Sequence, residues 1–179
     1  TLDILQKLYL KGLVSYPRSD SQFLTNEEAK TLPNILENLS KIDQYKNLLP
    51  PPVKSILTNK RFVNPQKVTD HHAIIITEQL PNLSKLSSEE FKIYDLVVRQ
   101  VIAAHYNNAI YSYTTIHSLV EKRAEFISKG KVQIEEGWRK VIFHSNTNSP
   151  ADKDELLPLL RENEQGIVTK AKERKSETQ

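Results

Sequence analysis

The chain has 179 residues, 26% of them charged, a formal net charge of +3, and neither cysteine nor methionine. This length holds one full core, or one domain and part of another, and the aliphatic content is that of a globular fold. No run of about 18 apolar residues exists to cross a membrane, no basic-then-apolar leader opens the chain, no disulfide or thiolate metal site can form, and so mild a basic excess is not by itself a nucleic-acid signature.

Leu2, Leu5, Leu8 and Tyr9 recur at helical spacing, with Gly12 placed to end that helix in the left-handed conformation. Leu13 to Tyr16 is then extended, because Pro17 disfavours a helical residue before it. Thr25 and Glu28 make a capping box that starts a helix at about Asn26, and Pro33 is expected to limit or kink it. The stretch 50–67 reads as a connector with a short helix around Val53 to Leu57. Ala73 to Thr77 is a compact β-branched run, expected as a short buried strand.

Ser87 and Glu90 form a second capping box. The helix it starts faces inward with Phe91, Tyr94, Val98, Val101 and His105, flanked by Val97 and Ile102, and should end near Tyr106. Ile110 to Val120 is a strand by composition; a second extended run leads to an expected turn at Lys129–Gly130, and Trp138 to Phe143 is expected as a further strand. The fold class is therefore α+β: a mainly helical domain over 1–105, then a β-rich domain over 106–179. No internal repeat is present. The lysines and arginines of residues 31–70 outnumber the acids there, which by itself describes a solvated face. The missing methionine and a start within a turn of a helical pattern suggest a piece of a longer, cytoplasmic polypeptide.

Three places carry chemistry. In LVSYPRSDS, residues 13 to 21, an extended backbone turns Tyr16 and Arg18 to the same face. A phenol is a possible covalent nucleophile and a guanidinium matches phosphate oxygens. Ser19 and Ser21 can donate to such oxygens and Asp20 can orient a donor. The competing reading is a strand running into an Asx-type turn. In VTDHHAIIIT, adjacent His71 and His72 face opposite ways, so one of them can reach a given site. A metal reading needs further acids, and the DxD at Asp152–Asp154 lies far downstream, so no metal ligand is assigned. Trp138, the sole tryptophan, is expected as a core or edge aromatic rather than a base-stacking one.

LYLKGLVSYPRSDSQFL, VTDHHAIIIT, FKIYDLVVRQVIA and GWRKV, in this order, resemble the central part of a type IA DNA topoisomerase, with the topoisomerase III branch most similar. The resemblance spans nearly the whole chain; Ser19 stands where threonine is usual, and Ile76 where proline is usual. It implies a winged-helix/CAP-like gate domain carrying the tyrosine, followed by part of the arch (toroid) domain. It also implies that Tyr16 attacks a phosphodiester of single-stranded DNA to form a 5′-phosphotyrosine, that Arg18 stabilises the phosphoryl charge, and that His71 bonds near the scissile phosphate. Ser19, Asp20, Ser21 and His72 would contact DNA. The family's Mg²⁺ ligands belong to a Toprim domain expected upstream of Thr1, so none would be bound by these residues. The partners implied are single-stranded DNA and the remaining Toprim and arch segments, and no membrane; the chain alone is expected not to relax DNA. The alternative kept beside this is a DNA-binding module without chemistry, or, more plainly, an α+β scaffold for protein contacts.

Overall fold

The computed structural model describes residues 1–143 and 155–170; the expectations for the DxD of residues 152–154 and for most of the C-terminal tail fall outside them. The fold is mixed α+β. Its helices are α1 (Leu2–Leu10), α2 (Asn26–Leu39), α3 (Ser88–Ala103) and the short α4 (Arg139–Ile142), and its strands are β1 (Ile110–Val120) and β2 (Ala124–Glu135). Two compact units result, one of Thr1–Ser112 with Gln133–Lys153 and one of Tyr113–Val132 with Asp154–Gln179.

In the first unit, sequence signals and elements agree closely. Gly12 follows α1 with φ +71°, and Leu8 of that helix is fully buried. The Thr25–Glu28 capping box starts α2, and the Thr25 N–H donates to the Glu28 carboxylate at 3.2 Å. The helix does not stop at Pro33 but runs on to Leu39. Ile35, Leu36 and Leu39 beyond the proline are all buried, and burying three such side chains, at about 1.5–3 kcal/mol each, outweighs the roughly 3 kcal/mol cost of an interior proline. Helix α3 opens on the reciprocal Ser87–Glu90 box, with bonds of 2.9 and 3.2 Å. It buries Tyr94, Val98, Val101 and Ile102, while His105 beyond its end is fully buried too.

Buried polar groups fasten this unit. Arg99 donates through Nε to Asp95 at 2.8 Å and through Nη1 to the Val141 carbonyl at 2.8 Å. The hydroxyl of the fully buried Tyr45 donates to the same aspartate at 3.0 Å. Lys11, just after α1, pairs with Glu90 at 2.6 Å.

Four local expectations are corrected. Residues 53–57 are not helical: the Val53 N–H donates to the His105 carbonyl at 3.0 Å, a long-range bond that replaces a helical partner. Ala73 to Thr77 makes a single bridge, Val14 with Ile76, instead of a strand, because its neighbouring donors are taken by Phe23 and by the Ser15 side chain. Residues 138–143 contain α4, not a strand; Val141 is fully buried and its carbonyl is held by Arg99, so one helical turn puts the apolar residue inward and the carbonyl on its cation. The hairpin turn lies at Glu121–Lys122, both with positive φ, and Lys129–Gly130 sits inside β2. Gly130 is there for close approach: a Cβ on it would lie 2.6 Å from the Glu155 carbonyl oxygen.

The second unit is built differently. Its hairpin strands are exposed along nearly their whole length, with Tyr113, Leu119, Phe126 and Ile127 among the open apolar side chains. The 155–170 segment meets β2 through a bridge between Lys131 and Glu155.

Candidate active site

Two extended segments make the site. Residues 13–16 leave α1 and run antiparallel to residues 73–77, with the Ser15 N–H donating to the Ile75 carbonyl at 2.8 Å and the Thr77 N–H to the Leu13 carbonyl at 3.1 Å. Val14 and Ile76, facing each other, are buried and anchor the pair in the core. Carrying that register outward brings Ser19 across from His71, and there the Ser19 hydroxyl donates to the His71 carbonyl at 3.0 Å. The pairing places the two rings in contact: the Tyr16 and His71 centroids are 4.3 Å apart at 41°. Tyr9 of α1 closes the other side of Tyr16, edge-on at 5.4 Å.

Tyr16 is half-buried, and its neighbours Arg18 and His71 are exposed. None of the phenol, guanidinium and imidazole has a hydrogen-bond or ion-pair partner among the described residues. Pro17 between them is buried and holds the segment down. Tyr16 and His71 thus meet on a supported segment, and the exposed Arg18 lies two residues along it.

The other candidates are placed as follows. The Ser19 hydroxyl also accepts from the Ser21 N–H at 3.2 Å. The Ser21 hydroxyl accepts from the Phe23 N–H at 3.1 Å and reaches the Phe23 and Lys67 carbonyls at 3.3 and 3.4 Å. Both hydroxyls therefore shape the loop itself. Asp20 is exposed on it. His72 turns away from the cluster: Nδ1 donates to the Ala73 carbonyl at 2.7 Å, and Nε2 lies 3.8 Å from Glu28 at the start of α2. Burial alone would raise the Glu28 carboxyl, but the Thr25 hydroxyl, backbone donors and His72 hold it below the usual carboxylate range.

Ser15 was not singled out by sequence reasoning. Its hydroxyl accepts from the Ile75 N–H at 3.0 Å and contacts the Ala73 carbonyl at 3.4 Å, stitching the two segments next to Tyr16. Tyr9 was assigned to the face of α1 alone; its position one helical end away from Tyr16 was the only available signal. A recess of about 440 Å³ beside the pairing is lined by Ser15, Thr31, His72 and Glu78, among others, and not by Tyr16, Arg18 or His71. Among the described residues no group of three His, Asp or Glu side chains could hold a metal ion, so this donor set does not fit Mg²⁺.

The family model described as DNA topoisomerase matches residues 1–179. The chain belongs to the type IA DNA topoisomerases. Relatives of this topoisomerase chain include a DNA topoisomerase 1 of Alkalihalophilus pseudofirmus, 39% identical over 99% of the chain and 24% of the relative. A DNA topoisomerase 3 of Bacillus licheniformis is 36% identical over 99% of the chain and 25% of the relative. A DNA topoisomerase 3 of Bacillus thuringiensis is 37% identical over 88% of the chain and 22% of the relative. The chain thus spans about a quarter of the length of the curated relatives it matches. Among the described residues no helix is long and apolar enough to cross a membrane.

Proposed function

We propose that Tyr16 is the nucleophile with which a type IA topoisomerase opens and reseals one DNA strand in the cytoplasm. The observation that carries this reading is the Tyr16–His71 ring contact of 4.3 Å, with the unpaired Arg18 two residues along the same segment. The phenol oxygen attacks the phosphorus of a single-stranded phosphodiester. A phosphotyrosine bond forms to the 5′ side, the bond to the 3′ oxygen breaks, and that oxygen leaves as a hydroxyl with a proton replacing the one the phenol gives up. Reversal re-forms the phosphodiester without ATP, since one phosphoester replaces another.

Arg18 neutralises charge on the non-bridging oxygens, the electrostatic contribution that dominates phosphoryl transfer. His71, in contact with the nucleophile's ring, donates to the scissile phosphate. Ser19 and Ser21 hold the loop, and Asp20 and His72 flank the strand. In this reading the helical unit is the winged-helix/CAP-like gate domain and the hairpin unit is part of the arch, with Toprim and remaining arch segments as partners in the longer polypeptide. Mg²⁺ belongs to that Toprim segment, and the chain alone does not relax supercoiled DNA.

The test uses the longer polypeptide and end-labelled single strands, resolved under denaturing conditions. Strands labelled at the 3′ end become covalently attached, strands labelled at the 5′ end do not, and Tyr16→Phe abolishes attachment while leaving strand binding within about twofold. Attachment by the Phe variant overturns the assignment and leaves a binding module instead.

A further inference from the structure

A second recess of the first unit, of about 280 Å³, is lined by none of Tyr16, Arg18 and His71. Its size is at the low end for ligand sites, right for one heterocyclic ring. Its lining pairs three aromatic side chains, Phe62, Trp138 and Tyr106, the last tied by its hydroxyl to the Leu48 carbonyl, with three amides, Asn59, Gln100 and Asn108, and with Arg61. Such a set matches an unpaired base: every base has a π-face for an aromatic ring, and amides offer donors and acceptors to its edge. The backbone N–H of Trp138 donates to the Asn107 carbonyl at 2.9 Å, which fixes that residue's main chain at the rim. The indole N–H and the side chains of Gln100 and Asn108 have no hydrogen-bond partner among the described residues. Arg61 is exposed with its guanidinium carbon 5.6 Å from the Phe62 ring centre, and it has no carboxylate partner among the described residues.

The recess is joined to the Tyr16 loop by one stretch of backbone. Phe62 accepts from the Leu24 N–H at 2.8 Å, and Asn64 donates to the Leu24 carbonyl at 3.0 Å. Further along, the Ser21 hydroxyl reaches Lys67 at 3.4 Å. Lys60, Arg61 and Lys67 on this stretch, and Arg18 on the loop, are all exposed and none is in an ion pair among the described residues. Exposed cations outside any ion pair, carried on the stretch that lines the recess and on the loop that holds the phenol, are suited to contact a nucleic-acid backbone.

We propose that the recess bounded by Phe62, Trp138 and Arg61 binds one unpaired base of a single strand, with its phosphate on Arg61, at a position away from the cleaved linkage. This rests on the reading that the chain handles single-stranded DNA. Trp138 is the only tryptophan, so its emission reports on the recess directly. The full chain is titrated with an oligothymidylate of about eight nucleotides and with an abasic strand of equal length and phosphate count. Saturable quenching by the first is expected, and a loss of roughly 5- to 150-fold in affinity for the second, the worth of one stacked base. Arg61→Gln weakens binding and lowers the salt slope by about one. Gln100→Ala, another exposed position, weakens it without changing that slope.

Equal quenching by the abasic strand overturns the proposal, as does the absence of any binding. Oligonucleotide binding seen by polarisation with unmoved tryptophan emission also overturns it, while leaving the DNA reading in place. Normal quenching in a chain whose longer form shows no Tyr16-dependent attachment has the opposite meaning: the recess stands and the nucleophile assignment falls.

Discussion

The two units solve the folding problem by different means. In the first, elements of modest intrinsic propensity are held by burial: Leu8, Leu32, Leu39, Tyr45, Tyr94 and Val98 are at or below 1% exposure. In the second, a long hairpin forms from local β-branched and aromatic composition with almost nothing inside; among its described residues only Gly130 is buried. An isolated two-stranded ribbon is marginal in water. Side chains in the first unit are therefore constrained by many neighbours at once, and those of the second by one cross-strand partner. The site candidates all lie in the first, where a one-ångström placement can be maintained.

This contrast can be broken by measurement. Leu32→Ala, fully inside the first unit, is expected to cost about 2–5 kcal/mol in denaturant unfolding, from lost transfer energy and the cavity left behind. A cost below about 1 kcal/mol would show a core much looser than the packing implies. Ser15→Ala removes the acceptor of the buried Ile75 N–H and should cost about 1–3 kcal/mol; the same variant should lower Tyr16-dependent strand attachment more than Leu32→Ala does at matched stability, because it acts on the support of that ring. A Ser15→Ala protein with unaltered attachment would separate the pairing from the site.

The pH dependence is smaller and has a definite sign. Burial pushes the His105 imidazole below its ordinary 6.5, with the Val101 carbonyl working partly against it, and its Nε2 has no partner. A histidine whose folded value is depressed binds its proton more readily when unfolded, so stability is full above 6.5 and falls as pH drops through the folded value. His105→Leu should flatten this fall, read from unfolding midpoints across the acid range; an unchanged profile would move the acid sensitivity to the carboxylates. The smallest effect belongs to the hairpin. Phe126→Ala, 58% exposed, should lie within about 0.5 kcal/mol, and a larger loss would reveal a packing partner for that face.

What the sequence made legible follows the same division. Helices α1, α2 and α3 were readable because Gly12, Thr25–Glu28 and Ser87–Glu90 are local signals and the apolar periods are long. The failures at 53–57, 73–77 and 138–143 share one cause: each segment's backbone is satisfied by a distant group, His105, Ser15 or Arg99, that no local window contains. The turn at Glu121–Lys122 was missed because neither residue is a usual left-handed former, and the glycine nearby serves close approach instead. Within the site, alternation along an extended segment sent His71 and His72 opposite ways, as their contacts with Tyr16 and with Glu28 show. That His71 is the one meeting Tyr16 depends on the antiparallel register of 13–16 with 73–77, which only the fold supplies. The recess at Trp138 was equally hidden, since Asn59, Gln100 and Trp138 have no common signal along the chain.

One residue links elements that look independent. Glu90 accepts the N–H of Ser87 with one oxygen and the ammonium of Lys11 with the other, so a single proton on it would weaken one half of the α3 capping box and the fastening at the end of α1 together. Lys11 and the Ser87 backbone both keep that carboxyl below its usual range, which defers the event to more acidic conditions. The lead-in to Tyr16 and the first turn of the longest helix therefore share one fuse: they should loosen as a pair, and neither can be weakened there by acid without the other.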